Sequence, residues 1–433
     1  MEIKIAAEDA KSSNLLKTIG PGLVYAGTAV GVSHLVQSTR AGAMYGMGLV
    51  IFILLAFLAK YPGFLFAPRY SAATGLSILE SYRRQGKSAL YFYITATILT
   101  MFISAAAILL ITAGLMEATL GVEIGILPIS LGLSVGGMVL LITGHYHLLE
   151  RVIKALVIML TIATLVATAS AIPMINWAVS GVLLPDEFEM ATVLFIAALI
   201  GWMPTPFDVS IWQSTWTVAK IKDTGYTPSI KESKMDFDVG YIATAVLAIC
   251  FVILGTAVMH NSGSAFESNA VLFAKQLIDI YEEALGPGSA ALVGVAAIGV
   301  MFSTWLTLLD GFPRGLSEAV EILATNNASS SHNARAASET ESKYYWPMMV
   351  IMICGGLIIL AFFMSSFKGL VDLAATVSFL TAPIYAFLNQ RAIHGKEVPS
   401  SARPSKLLCI WSNVGILALS IFALCYLYLS FVY

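Results

Sequence analysis

Residues 20–46 read GPGLVYAGTAVGVSHLVQSTRAGAMYG. The run is long enough to cross a hydrocarbon core of about 30 Å as a helix. Its middle, however, is built from the wrong residues for a helix in lipid. Gly27 and Gly31, with Thr28, Ser33 and His34, stand where Leu or Ile would be expected. A second run, ATVLFIAALIGWMPTPFDVSIWQSTW at 191–216, is interrupted more severely. Pro204 and Pro206 each remove a backbone donor and clash with the preceding turn, and Asp208 follows at once, at membrane depth. Unwound backbone in a bilayer is tolerated only where it is buried in protein or lines a cavity. Interruptions at corresponding places in two halves of a chain point to a transporter's substrate site.

The rest of the chain supplies the two halves. Of 433 residues, 58% are hydrophobic and only 12% charged, with a mean hydropathy of +0.82. A soluble domain is about 25% charged, so much of this surface faces lipid. Eleven apolar runs of about 20 residues fall at 18–46, 47–69, 89–116, 124–143, 148–173, 190–219, 237–260, 288–312, 344–366, 369–390 and 407–431. The interrupted spans 1 and 6 are five apart, the spacing of a five-plus-five inverted repeat. The fold expected is an all-α integral membrane protein with about 11 transmembrane helices. Its single domain, 1–433, has repeat one at about 17–173, repeat two at about 190–390 and an extra helix at about 407–431.

Lys and Arg set the orientation. With the N-terminus in the cytoplasm, 20 of the 24 basic residues fall in inside segments, against Arg40, Lys275 and Lys368 outside; Lys60 lies within span 2. Eleven spans then leave the C-terminus outside, and a cell (plasma) membrane location is expected. The N-terminal segment is polar and mixed in charge, unlike a cleavable signal. Residues 324–343, ATNNASSSHNARAASETESK, read as a flexible cytoplasmic linker in which the Asn327 sequon is silent. A short amphipathic helix is expected near Phe273–Leu285 in the outside loop. Cys250, Cys354, Cys409 and Cys425 sit in apolar runs and read as small buried hydrophobes. No basic patch suggests a nucleic acid, no cofactor is implied, and no nucleophile–base pair or nucleotide-binding loop suggests an enzyme.

Span 1 carries a family resemblance. Gly20-Pro21-Gly22 opens it and Ala41-Gly42-Ala43-Met44-Tyr45-Gly46 closes it, and in this spacing the chain resembles the Nramp transporters, which have the leucine-transporter (LeuT) fold. The segment Tyr146–Lys154 before span 5 is similar to that family's LLEK-type entry. The resemblance implies a secondary transporter in which a DPGN motif and a Met supply metal ligands. Here DPGN becomes Gly31-Val32-Ser33-His34, and the Met position falls on Thr205 with Pro206 as the family proline. A two-residue shift would instead place Met203 in that slot. Trp212 stands where the family has a histidine linked to proton movement. Span 3 has no ionisable side chain except tyrosine, and span 9 lacks the family's arginine.

What remains at the breaks is hydroxyls (Thr28, Ser33, Thr205), the His34 imidazole, Gly31, Asp208 and exposed backbone. Half-helix N-termini carry roughly +0.5 of a charge, which favours a small anion such as bicarbonate once the family's carboxylate is gone. The substrate-binding candidates are therefore Thr28, Gly31, Ser33, His34, Thr205 and Asp208, with Asp208 also able to cap its half-helix. Lys60, Trp202, Phe207 and Asp372 are candidates for coupling or gating, Lys60 also for snorkelling, and Asp310 near the end of span 8 is a further buried ionisable group. The partners expected are a small inorganic ion or small solute, the lipid bilayer and a coupling ion, Na+ or H+. Three other readings stay open. They are a Mg2+ or Mn2+ carrier using His34, Asp208 and backbone carbonyls, a carrier of an amino acid or other small organic solute, and a non-transporting receptor.

Overall fold

The computed structural model describes residues 20–177, 184, 189–260, 267, 269–286, 288–324, 342–363 and 367–432. Lys4, Lys11, Lys17, the Asn327 sequon and most of the expected linker lie outside them, as do the side chains of Tyr146–Glu150. Every regular element among the described residues is helical: α1 (Pro21–Ala29), a π-helical segment (Val30–Ser38), α2 (Thr39–Tyr45), α3 (Val50–Thr74), α4 (Ile78–Gln85), α5 (Lys87–Leu120), α6 (Ile126–Ala171), α7 (Met190–Trp202), α8 (Val209–Thr224), α9 (Ile230–Gly255), α10 (Ala270–Leu285), α11 (Ala290–Ala324), α12 (Tyr345–Phe363), α13 (Phe367–Ile393) and α14 (Lys406–Val432).

Eight of the described helices are long and apolar enough to cross a membrane. The apolar segment Ile158–Met174 and the two interrupted spans, 20–45 and 190–224, complete the expected eleven crossings. Spans 4 and 5 differ from expectation in one respect: the backbone is helical throughout Ile126–Ala171. At 1.5 Å per residue that run is about 69 Å of helix, over twice the hydrocarbon thickness, which gives each of the two apolar runs within it enough length to cross. The expected amphipathic helix is present as α10. It buries Phe273, Ala274, Leu277 and Tyr281, and the Asn269 side chain caps it by accepting from the N–H groups of Val271 and Leu272 at 2.9 and 3.2 Å.

Both interruptions are real. In span 1 the break is a single residue, Gly31, whose ψ of −125° leaves helical space, and the chain resumes as a π-helix rather than as open coil. In span 6, residues 203–208 are non-helical between α7 and α8, and the Met203–Pro204 peptide bond is cis. The opening Gly-Pro-Gly has a specific use. Asp236 of α9 accepts hydrogen bonds from the N–H groups of Gly20 and Gly22, at 2.9 and 2.7 Å, while Pro21 occupies the first helical turn where no donor is needed. A carboxylate from another helix thus caps α1. A Cβ at Gly22 would strike the Asp236 carbonyl and one at Gly240 the Gly22 carbonyl; Gly42 and Gly255 are matched in the same way at the far end. Small residues let span 1 lie backbone to backbone on α9, as membrane helices do.

The exterior is apolar. On α14, Leu407, Ile410, Val414, Leu417, Ile421 and Leu424 all face outward, as a lipid-facing helix requires. This also corrects the expectation for the cysteines. Only Cys250 is buried, whereas Cys354 and Cys425 are exposed and Cys409 is half-exposed, because an apolar run in lipid does not imply burial in protein.

Candidate functional site

Between the two breaks lies a cavity of about 30 Å3, room for the centres of about two waters. Thr28, Val32 and Ser33 line it from span 1 and Trp202, Thr205, Pro206, Val209 and Trp212 from span 6. Ser104 and Ile108 of α5 and Thr304, Leu308 and Phe312 of α11 close it. Five hydroxyls therefore face a wall of aliphatic and aromatic side chains, and no ionisable or sulfur-bearing side chain lines the space. Of the residues singled out from the sequence, the substrate candidates Thr28, Ser33 and Thr205 and the gating candidate Trp202 line it. Ser104, Thr304 and Phe312 were not foreseen, since a lone hydroxyl or phenyl in an apolar helix carries no positional signal. Met203 does not reach the cavity: its sulfur accepts from the Ser38 hydroxyl at 3.8 Å. Of the two registers, the structure puts Thr205, not Met203, at the cavity.

The main-chain oxygens freed by the breaks are already engaged. Thr304 donates to Gly27 O at 3.0 Å and Thr28 to Val24 O at 2.9 Å. Ser33 donates to Ala29 O, and His34 Nδ1 lies 2.6 Å from the same oxygen. At the span 6 break, Lys60 donates to Ile200 O at 2.7 Å and to Gly201 O at 2.8 Å, carbonyls in the last turn of α7. A cation at a helix C-terminus meets the negative end of the helix dipole. Each half-helix that ends at a break is thus capped by a protein donor.

Several candidates are corrected by this geometry. Gly31 binds nothing; it provides clearance, because a Cβ there would overlap the Thr304 side chain. His34 is fully buried but turns away from the cavity, with Nε2 2.9 Å from Thr244 O of α9. Lys60 does not snorkel: it is 0% exposed, and its ammonium donates to two carbonyls inside the protein. Asp372 is neither at the cavity nor alone. Arg40 of α2 donates to its two oxygens at 2.6 and 3.2 Å while lying 4.6 Å over the Phe195 ring of α7. Asp310 accepts from Trp216, Arg314 and Tyr345, with Trp216 Nε1 at 2.7 Å and the Tyr345 hydroxyl at 2.7 Å, which makes it a structural anchor.

Asp208 is also displaced from the central cavity. It stands at the start of α8 without making a side-chain cap, and lines a second, tighter space with Phe207, Ala96 and Thr100 of α5, and Ser378, Thr381 and Tyr385 of α13. The break therefore serves two cavities: Thr205 and Pro206 face one, Phe207 and Asp208 the other. His34 and Asp208 do not share a site, and among the described residues no group of three or more His, Cys, Asp or Glu could hold a metal ion.

The comparisons agree with this architecture. The family model for natural resistance-associated macrophage protein-like (Nramp) proteins matches residues 22–430. An uncharacterized protein of Pasteurella multocida (strain Pm70) is 31% identical over 417 residues, covering 94% of this chain and 91% of that one. Among solved structures, a manganese transporter of Eremococcus coleocola is similar, with a TM-score of 0.68 at 13% identity over 95% of this chain and 86% of that chain. A nucleobase-cation-symport-1 family transporter in a closed conformation aligns with a TM-score of 0.58 at 12% identity, over 95% of this chain and 92% of the other. At such identities the structural likeness speaks to the fold, and it is the LeuT arrangement with helices 1 and 6 interrupted. With a family model spanning nearly the whole chain, this multi-pass membrane protein belongs to the Nramp family of transporters.

Proposed function

We propose that the chain is a secondary transporter whose central cavity takes a small protonated oxyanion of bicarbonate's size in place of a divalent metal. The observation that carries this reading is the lining: five hydroxyls, no carboxylate, no imidazole and no thioether. Mg2+ or Mn2+ needs anionic or closely packed hard oxygens to replace its hydration shell, and a bare charge in a membrane is costly. The carbonyls that would serve are bonded to Thr304, Ser33, His34 and Lys60 instead.

The hydroxyls suit a hydrogencarbonate, which both donates and accepts. Thr28, Ser33 and Thr304 give their hydrogens to helix carbonyls and turn lone pairs to the cavity. Ser104 and Thr205 also line the cavity, where a hydroxyl can donate to an anionic oxygen. Room for about two waters fits such a species and not an amino acid. The buried Lys60 ammonium adds positive potential beside the span 6 break. We place the N-terminus in the cytoplasm and the C-terminus outside the plasma membrane, on the distribution of Lys and Arg.

A second reading, a Mn2+ or Mg2+ carrier, is favoured by the family and by the manganese transporter of similar fold. Calorimetry on the purified protein separates the two. The proposal expects bicarbonate to bind, with Thr205→Val and Ser104→Ala weakening it several-fold, and Mn2+ not to bind tightly. Micromolar Mn2+ affinity that is lost in Asp208→Ala would establish the metal reading instead.

A further inference from the structure

The second cavity is built for a different ligand. Asp208 is 4% exposed, and its Oδ1 has no hydrogen-bond partner. An ionised carboxylate left so would be severely destabilising. Three of the four hydroxyls around it, Tyr385 being the fourth, spend their hydrogens elsewhere. Thr100 donates to Ala96 O at 2.9 Å, Ser378 to Ala374 O at 2.9 Å and Thr381 to Val377 O at 3.1 Å. Each hydroxyl therefore turns only lone pairs toward the space. No salt bridge reaches Asp208 among the described residues, although the buried Lys60 lies near enough to act on it electrostatically. An unpartnered carboxylate oxygen facing three hydroxyls that offer only lone pairs is the complement of a cation.

We infer that Asp208, Thr100, Ser378, Thr381 and Tyr385 form a sodium site between α5, the span 6 break and α13, separate from the central cavity. The ligands are hard oxygens with one formal negative charge, which a monovalent ion neutralises and a divalent ion would exceed. The space is tight, which favours the smaller sodium ion over potassium. Two features tie the site to the central cavity, whatever that cavity carries. Trp202, which lines the central space, donates from Nε1 to Ser378 Oγ at 3.2 Å. Thr205 and Asp208 belong to the same six-residue break. A cation that organises Ser378 and Asp208 thereby fixes Trp202 and Thr205, so occupancy of one site changes the affinity of the other.

The test is the thermal stability of the full chain in detergent, titrated with NaCl against KCl and choline chloride at constant ionic strength. A ligand that binds the folded state alone raises the melting temperature saturably. The inference expects this for Na+ and not for K+ or choline. It expects no response in Asp208→Asn, and apparent Na+ affinity weakened about tenfold in Thr381→Val, the loss of one ligand contact. Ser420→Ala, on the peripheral α14, should respond as the wild type does. If Asp208→Asn does not fold, Thr381→Val and Thr100→Val carry the comparison. Equal responses to Na+ and K+ would overturn the inference. So would a stability that follows pH alone, since that is the signature of a protonated Asp208. A Na+ response that survives in Asp208→Asn would place the ion elsewhere and overturn it too.

Discussion

At Gly31 the missing Cβ lets α11 come close enough for Thr304 to reach the Gly27 carbonyl. Gly31→Ala should therefore destabilise the protein by about 1–3 kcal/mol, the usual cost of overpacking a close contact. Thr304→Gly in the same chain should recover part of that loss. Non-additive melting temperatures across the four variants support the contact, and additive ones contradict it. Lys60 makes a second prediction. Its ammonium bonds two carbonyls at the end of α7, and hydrogen bonds to a charged group are each worth about 1.5–3 kcal/mol. Lys60→Met keeps the apolar stem and should cost about 3 kcal/mol, seen as a melting temperature lower by several degrees; an unchanged value would mean the bonds contribute nothing net. The sequence showed that Gly31 and Lys60 were unusual residues in membrane spans, but not what they touch. Their partners lie hundreds of positions away, at Thr304, or 140 and 141 residues away in α7, and periodicity along one helix holds no trace of them.

Each half of the broken span 1 is tied to a neighbour by one charged side chain at its far end. Asp236 of α9 holds the N-terminus of α1 through Gly20 and Gly22. Arg40 of α2 holds α13 through Asp372 and covers Phe195 of α7. Asn389 of α13 adds a neutral tie, donating to Gly63 O of α3 at 3.0 Å and to the Ser210 hydroxyl of α8 at 2.9 Å. Alternating access moves one set of elements against another around a fixed site, so these ties are expected to close opposite ends of the pathway. With the four native cysteines replaced and a Thr28→Cys reporter in the central cavity, Asp236→Ala should speed labelling by a membrane-impermeant thiol reagent from the N-terminal side. Arg40→Ala should speed it from the opposite side. Acceleration from the same side in both variants, or from neither, would contradict this assignment. The interruptions themselves were legible because proline and glycine act locally: Pro204 and Pro206 forbid a helix whatever surrounds them. The π-helical course after Gly31 was not legible, because it reflects how span 1 settles on α9.

Across the whole molecule, the eleven crossings follow from composition and length, and the two-cavity arrangement does not. The sequence placed Asp208 and Thr205 at one site because they are three residues apart. The folded break turns them toward different spaces. This separation removes the objection that a carboxylate would repel an anion at the centre, and it leaves the central cavity without a formal charge of its own. On the proposed reading it divides the labour of a coupled carrier, with a neutral hydroxyl pocket for the substrate and a carboxylate pocket for the driving ion. Uptake into proteoliposomes containing the purified full chain tests that division most directly. The account predicts saturable bicarbonate uptake that is faster with an inward Na+ gradient than with K+, is slowed several-fold by Thr205→Val, loses its Na+ dependence in Asp208→Asn, and is accompanied by no Mn2+ uptake. Mn2+ or Mg2+ entering while bicarbonate does not would contradict it.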